Sequence, residues 1–255
     1  LADPSHLKHG NHGLHQTLGL FVVSAVLEDR DSMDLAVDWL GQRLRGAWDE
    51  QGVNEEGSLA YHRMNYLWWQ DAMTRLDLEG VDRPDGAQRL SLAPEEMAHA
   101  TSPLGRLARI GDTNAASIRD IDHPYADFVT SEGTRGAAPA KTTAIYDRGY
   151  AYIRSGWGQN RPFSDETYLT AVFGAQDKIH GHVDGGSVTY CSQGVQWLHD
   201  AGRYYYGRHP MQDYMKSRAA HSLVVLPGRT ADKGTPVELM RSEITDDCTD
   251  LLLSD

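Results

Sequence analysis

Three histidines and two carboxylates crowd one part of the chain: His180-Gly181-His182-Val183-Asp184, then Asp200, then His221. His182, Asp200 and His221 offer two nitrogens and one oxygen. That donor set suits zinc, with a fourth position for water or another group. The spacing is not that of a zinc finger, and histidines falling on strands by chance give the same pattern, so the residues alone leave both readings open. His180 is left over. In an extended segment, residues 180, 182 and 184 point to one side. A metal on His182 would fix the backbone beside His180 and disfavour its cationic form, keeping it usable as a base. The other reading of His180 is a hydrogen-bonded histidine with no part in chemistry.

Further groups lie elsewhere. Asn11-His12-Gly13-Leu14 sits at the start of an apolar-periodic stretch. A helix N-terminus carries unpaired N–H groups and partial positive charge, so Asn11 and His12 could hydrogen-bond a substrate carboxylate. Asn11 equally suits a helix N-cap. Tyr61-His62 falls on a helical pattern. A tyrosine serves as acid or base if a cationic neighbour lowers its pKa, and otherwise packs on the helix with its hydroxyl solvated. Arg203, Tyr204, Tyr206, Tyr214 and Arg218 form an aromatic and basic segment suited to sugars and carboxylates, or to ordinary sheet packing.

These residues need elements to hold them. Leu14, Leu18, Phe21, Val22 and Ala25 mark one helical face. Asp31 or Ser32 is placed to cap a second helix carrying Met33, Leu35, Ala36, Trp39, Leu40 and Leu44. A third helix is predicted from about Leu59 to Leu76. Residues 78 to 140 are punctuated by prolines, and Gly133 to Ala140 reads as a flexible linker, with a domain boundary near 135 to 143. Beyond it the period becomes two. Tyr150 to Arg154, Thr167 to Phe173, Ser187 to Cys191, Val195 to Leu198 and Ser222 to Leu226 read as strands, with Ser192-Gln193-Gly194 as a hairpin turn. That turn would set Asp200 opposite about residue 187. His182 must therefore precede the regular strand and fold back toward Asp200.

Composition sets the outer limits. The 255 residues allow two modest domains or one large one. A net charge of −12 argues against general nucleic-acid binding, where a basic surface supplies most affinity. No apolar run approaches the roughly 18 to 20 residues of a membrane helix. Cys191 and Cys248 make no disulfide framework and read as free thiols. Leu1-Ala2-Asp3-Pro4 is not a natural initiation and reads as a processed chain or a fragment, with no signal-peptide pattern. There is no internal repeat or low-complexity tract.

Taken in order, the motifs resemble the heparinase II/III-like polysaccharide lyases. The resemblance rests on Asn-His-Gly-Leu-x-Gln-x-x-Gly-Leu at 11 to 20, Ser58-Leu59-Ala60-Tyr61-His62, Gly111-Asp112, and Gly149 to Trp157. It continues through His-x-His-x-Asp at 180 to 184, Asp-x-Gly-x-Tyr at 200 to 204 and Arg-x-x-His at 218 to 221, and covers about residues 10 to 228. It implies an α+β multidomain fold: a partial (α/α) toroid helical domain with its linker over 1–138, then an antiparallel β-sandwich domain over 139–255. It implies cleavage of a uronic-acid-containing polysaccharide by β-elimination, with the chemistry in a cleft between the two domains. Asn11 and His12 would neutralise the uronate carboxylate, Tyr61 would be the acid and on some substrates also the base, and His180 the base or its partner. His62, Arg203, Tyr204, Tyr206, Tyr214 and Arg218 would contact the sugar. His182, Asp200 and His221 would bind a structural zinc. The acidic polysaccharide is the expected partner, and the expected location is periplasmic or secreted. Two departures stand out. The helical region and the sandwich are both shorter than in family members, which implies a fragment. The last signature also reads Ala220-His221-Ser222-Leu223 where the family has Ala-His-Asn-Thr.

Two other readings compete. A glycoside hydrolase needs two opposed carboxylates; Glu55, Glu56 and Asp184 are available without forming an evident pair. A non-catalytic polysaccharide-binding protein would keep the fold without turnover. Only a lyase product carries a new C4=C5 double bond that absorbs in the near ultraviolet.

Overall fold

The structure is a computed structural model and describes residue 8 and residues 10–228, 233–245 and 247–255; Leu1 to Pro4 lie outside them. Two compact units are present. The first ends at Glu55 and resumes over Met64–Ala93; the second holds Glu56–Arg63 and Pro94–Asp255.

In the first unit, α1 (Gly10–Val26) and α2 (Arg30–Ala47) are joined by a short turn and pack on each other. The cap of α2 is Asp29, whose side chain accepts from the Ser32 N–H at 3.2 Å, and not Asp31 or Ser32. Because α1 starts at Gly10, Asn11 lies inside its first turn and is not an N-cap. The buried face of α1 is Leu14, Thr17, Leu20, Phe21 and Ser24, rotated from the predicted stripe. Arg43 of α2 explains the rotation: its Nε donates to Thr17 Oγ1 at 3.1 Å, which turns that polar position inward. Met33, Ala36, Leu40 and Leu44 of α2 are buried at the expected three- and four-residue spacing, as are Trp69, Met73 and Leu76 of α3 (Leu59–Leu78). The first residues of α3, 59–63, belong to the second unit.

The second unit contains α4 (Ala93–Ala100), α5 (Pro124–Thr130) and five strands: β1 (Thr143–Tyr146), β2 (Tyr150–Arg154), β3 (Tyr168–Val172), β4 (Val188–Ser192) and β5 (Val195–Leu198). They form one antiparallel sheet in sequence order. Gln193 and Gly194 both have positive φ, 53° and 72°, as the predicted two-residue hairpin requires. Residues 133–140 are not a free linker: Gly133 and Ala137 donate to the carbonyls of Phe128 and Pro124, folding the segment back on α5. A second sheet, β6 (Glu238–Ile244) with β7 (Thr249–Ser254), lays Leu239, Leu251 and Leu253 against Ala151, Ala171 and Phe173. The two faces thus share one apolar layer.

A buried guanidinium ties α4 to the sheet. Arg154 of β2 donates to the carbonyls of Ala98 and His99, each at 3.3 Å, and of Thr101. It lies between the rings of Trp157 and Tyr168, 4.2 and 4.5 Å from their centroids. These bonds satisfy carbonyls left open at the end of α4. Beside it, Tyr152 donates to Glu96 at 2.7 Å.

Ser222 to Leu226 is not a strand. Only Ser222 reaches the sheet, its carbonyl accepting from the Val188 N–H at 2.9 Å, and Val224 is 81% exposed. That edge of β4 is otherwise occupied by β5, whose pairing ends at Tyr190↔Leu198. That bond, with the Ser222 hydroxyl donating to His199 O at 3.1 Å, holds the neighbouring residue, His221, at the sheet's end. Two further short helices, a 3-10 turn at Arg218–Ala220 and α6 (Pro210–Met215), precede it. No helix among the described residues is long and apolar enough to cross a membrane.

Candidate active site

Three loops of the second unit interlock through backbone bonds. The His180 N–H donates to Glu56 O and the Asp112 N–H to His180 O, both at 2.8 Å. Ser58 and Thr113 meet through their hydroxyls at 3.0 Å, and Thr113 Oγ1 also accepts from the Ala60 N–H at 3.2 Å, fixing the first turn of α3. Gly111 makes the close approach possible. Its φ is +57°, and a Cβ there would lie 2.2 Å from Gly57 O and 2.6 Å from His180 O. Gly111→Ala is therefore expected to destabilise the protein by about 2–5 kcal/mol, from backbone strain and overpacking together. The check is the urea midpoint of unfolding. An unshifted midpoint would mean that the loops separate without cost.

On this frame the Tyr61 and His180 rings stack, with centroids 3.4 Å apart and planes within 9°. The Tyr61 hydroxyl is 2.9 Å from the Tyr206 hydroxyl, which in turn donates to Asp112 Oδ2 at 3.2 Å and lies 3.3 Å from His180 Nδ1. Asp112 is the hub. Its Oδ2 also meets His180 Nδ1 at 3.1 Å and Lys216 Nζ at 3.2 Å, while its Oδ1 meets His182 Nε2 at 3.1 Å. The carboxyl is only 2% exposed. Burial works to raise its pKa, but the hydrogen bonds from His180 and His182 and the charge of Lys216 outweigh that and hold it well below the usual carboxylate range. Tyr206 is pushed the other way, above the ordinary phenol value, by burial and then by its bonds to Tyr61 and Asp112. On its far side His180 faces Glu56, with Nε2 3.7 Å from Oε2.

His182, Asp200 and His221 converge as expected. All three are buried, and their ligand atoms lie within 4.8 Å of one another. His182 precedes β4 and Asp200 follows β5, so the fold-back required by the hairpin is present. Asp200 Oδ2 meets His221 Nδ1 at 2.7 Å and its Oδ1 accepts from the Gly202 N–H at 2.9 Å. His182 Nδ1 and His221 Nε2 are buried without a hydrogen-bond partner. Buried ring nitrogens left unmatched beside a carboxylate are what a cation with nitrogen and oxygen preferences needs. The residues present therefore fit zinc. Asp184, close by, has its pKa raised by burial and by Asp200, against the opposing pull of the histidines.

The remaining candidates have partners of their own. His62 is 2% exposed and faces Glu96, Nε2 to Oε2 3.4 Å, inside the second unit. Arg203 lies over the Tyr206 ring at 4.5 Å. Tyr204 packs near His209, Tyr214 donates to Ala219 O at 3.2 Å, and Arg218 pairs with Asp255. Asn11 and His12 lie in the first turn of α1, in the first unit, with His12 exposed. Tyr61 and His180 share the second unit. Neither Asp112 nor Lys216 stands out as a site residue from the sequence, and Glu56 stands out there only as a hydrolase candidate. The Gly111-Asp112 pair was the one visible signal for Asp112.

Residues 138–247 match the family model described as Heparinase II/III-like, C-terminal. That segment is similar to the heparinase II/III-like C-terminal domain. Solved structures agree on the fold. A heparinase III with methylated lysines superposes with TM-score 0.83 at 15% identity, over 98% of this chain and 42% of that one. The heparan sulfate lyase HepC from Pedobacter heparinus superposes with TM-score 0.76 at 17% identity, over 94% of this chain and 41% of that one. The chain thus spans about two fifths of the length of these proteins. No curated protein matches it in sequence. The matched segment supplies His180, His182, Asp200, Tyr206 and His221, while Glu56, Tyr61 and Asp112 come from residues before it.

Proposed function

We propose that the protein is a polysaccharide lyase that cleaves a uronic-acid-containing polysaccharide by β-elimination at the C4–O bond. The observation that carries this is the Tyr61 hydroxyl, bonded to Tyr206 and stacked on His180, with Asp112 behind both rings. β-Elimination at a uronate needs a base for the C5 proton, an acid for the departing O4 and neutralisation of the carboxylate that takes up charge. His180 removes the C5 proton, alone or with Tyr61. Tyr61 protonates O4, and Tyr206, among Tyr204, Tyr206 and Tyr214, is the tyrosine that shares its proton. Asn11 and His12 take the uronate carboxylate in this reading. Arg203, on the Tyr206 ring, is the foremost sugar contact in this reading, joined by Tyr204, Tyr214 and Arg218; His62 supports the first turn of α3 from inside.

His182, Asp200 and His221 would hold zinc, which supplies a structural cross-link between three loops. The helices before the strands belong, in the same reading, to the C-terminal part of an (α/α) toroid ending near 138, with the β-sandwich following and the enzyme acting outside the cytoplasm.

The geometry disfavours a hydrolase. Glu56 and Asp112 sit on either side of His180, and Asp112 accepts four hydrogen bonds and stays ionised, so it has no proton to give. Near-ultraviolet absorbance over a panel of uronic-acid polysaccharides tests the proposal. A rise on one substrate is expected. New reducing ends with a flat trace would make the protein a hydrolase, and flat traces without new ends on every uronan would leave it a binding protein.

A further inference from the structure

Asp112 touches both the proton-handling ring and a candidate metal ligand. Its oxygens are divided between them: Oδ2 to His180 Nδ1 and Oδ1 to His182 Nε2, each at 3.1 Å. The Tyr206 hydroxyl and Lys216 Nζ also point at Oδ2, and a carboxylate ringed by donors accepts from each, so both ring nitrogens that face it carry protons. His182 is then the Nε2–H tautomer, and its lone pair lies on Nδ1, the buried atom without a hydrogen-bond partner. His180 is the Nδ1–H tautomer, with its lone pair on Nε2.

We infer that Asp112 is a positioning residue that fastens the rings of His180 and His182 with one carboxylate, so that zinc binding at His182 and the basic tautomer of His180 depend on the same group. A carboxylate behind a metal-binding histidine fixes the ring and strengthens its donor atom, and its loss typically lowers metal affinity 10- to 100-fold. Here the same carboxylate serves a second ring. Lys216 and Tyr206, both on Oδ2, hold it in place. The backbone contributes as well, since the Val183 N–H donates to Lys216 O at 3.0 Å. This closes a loop from Lys216 through the neighbour of His182 and back through Asp112. The role of His180 rests on the lyase reading; the role toward His182 does not.

Asparagine is the discriminating substitution. It offers one acceptor oxygen and one donor amide, so Asp112→Asn can accept from only one of the two rings. The ring facing the amide must move its proton to the other nitrogen. Zinc affinity, read by competition with a chromophoric chelator, is expected to fall about 10- to 100-fold in Asp112→Asn. On a cleaved uronan its kcat falls while KM stays near the wild-type value. Asp112→Glu should recover part of both. His180→Ala should lose turnover and keep wild-type zinc affinity. Imidazole nitrogen NMR of the zinc-loaded wild-type protein, which needs no variant to fold, should show His182 protonated at Nε2. Wild-type zinc affinity in a folded Asp112→Asn, a wild type that binds no zinc, or protonation of His182 at Nδ1 would each overturn the inference. The zinc and NMR readings need no substrate, so they decide the role of Asp112 even where every absorbance trace is flat.

Discussion

Tyr61→Phe is expected to lower kcat by about 10²- to 10⁴-fold, the usual worth of a positioned proton donor, and to leave folding unchanged. The ring stacks on His180 and keeps that contact as phenylalanine, because the hydroxyl takes no part in it. The hydroxyl's bond to Tyr206 disappears. Tyr206 retains its bond to Asp112, so no buried polar atom is left without a partner there. Stability should therefore change little, while the group that protonates the leaving oxygen is gone. The assay is initial rate on the best uronan, beside a thermal melt. Near-normal turnover in a folded Tyr61→Phe protein would move the acid role to another residue, with Tyr206 first in line. Tyr206→Phe separates the two, because it also removes a donor to Asp112.

The second large effect is expected at His182. His182→Ala removes a ring that is 2% exposed, donates to Asp112 and completes the cluster with Asp200 and His221. Three consequences follow from one change. The protein, dialysed against zinc and then buffer, should lose the metal that the wild type retains. The cavity and the lost bond to Asp112 together should cost about 2–3 kcal/mol, or about 5–10 °C in Tm for a chain of this size. Adding zinc should raise the Tm of the wild type and not of the variant, because binding only to the folded state is what links metal to stability. An equal Tm for the two proteins in excess zinc would remove His182 from the metal site.

The convergence of His182, Asp200 and His221 could be read from the chain because their motifs flank a hairpin whose turn is written in the sequence. The hairpin at Gln193-Gly194 even predicted that His182 must fold back, and it does. Asp112 could not be read in the same way. A single aspartate beside a glycine has no periodic signature, and its partners are 68 to 104 residues away in sequence. The choice among Tyr204, Tyr206 and Tyr214 was equally closed, since residue type is the same at all three and only tertiary contact separates them. The strand expected at Ser222 to Leu226 failed for a different reason. Its apolar run suits a sheet, but β5 already holds most of that edge of β4. On α1, apolar residues occur on nearly every side, so the period marked a helix without fixing its inward face; Arg43 of α2 fixed it.

The guanidinium of Arg154 bears on where this molecule can be cut. The family match begins at residue 138, yet Tyr152 bonds to Glu96 and Arg154 Nη2 to the carbonyls of Ala98, His99 and Thr101. A piece starting at 138 would keep every strand and lose those partners, leaving a cation and a phenol stranded beneath the sheet. A boundary drawn by sequence similarity is thus not a boundary of folding here. The smallest self-sufficient unit reaches back at least to α4, and heredity and mechanics divide the chain at different places.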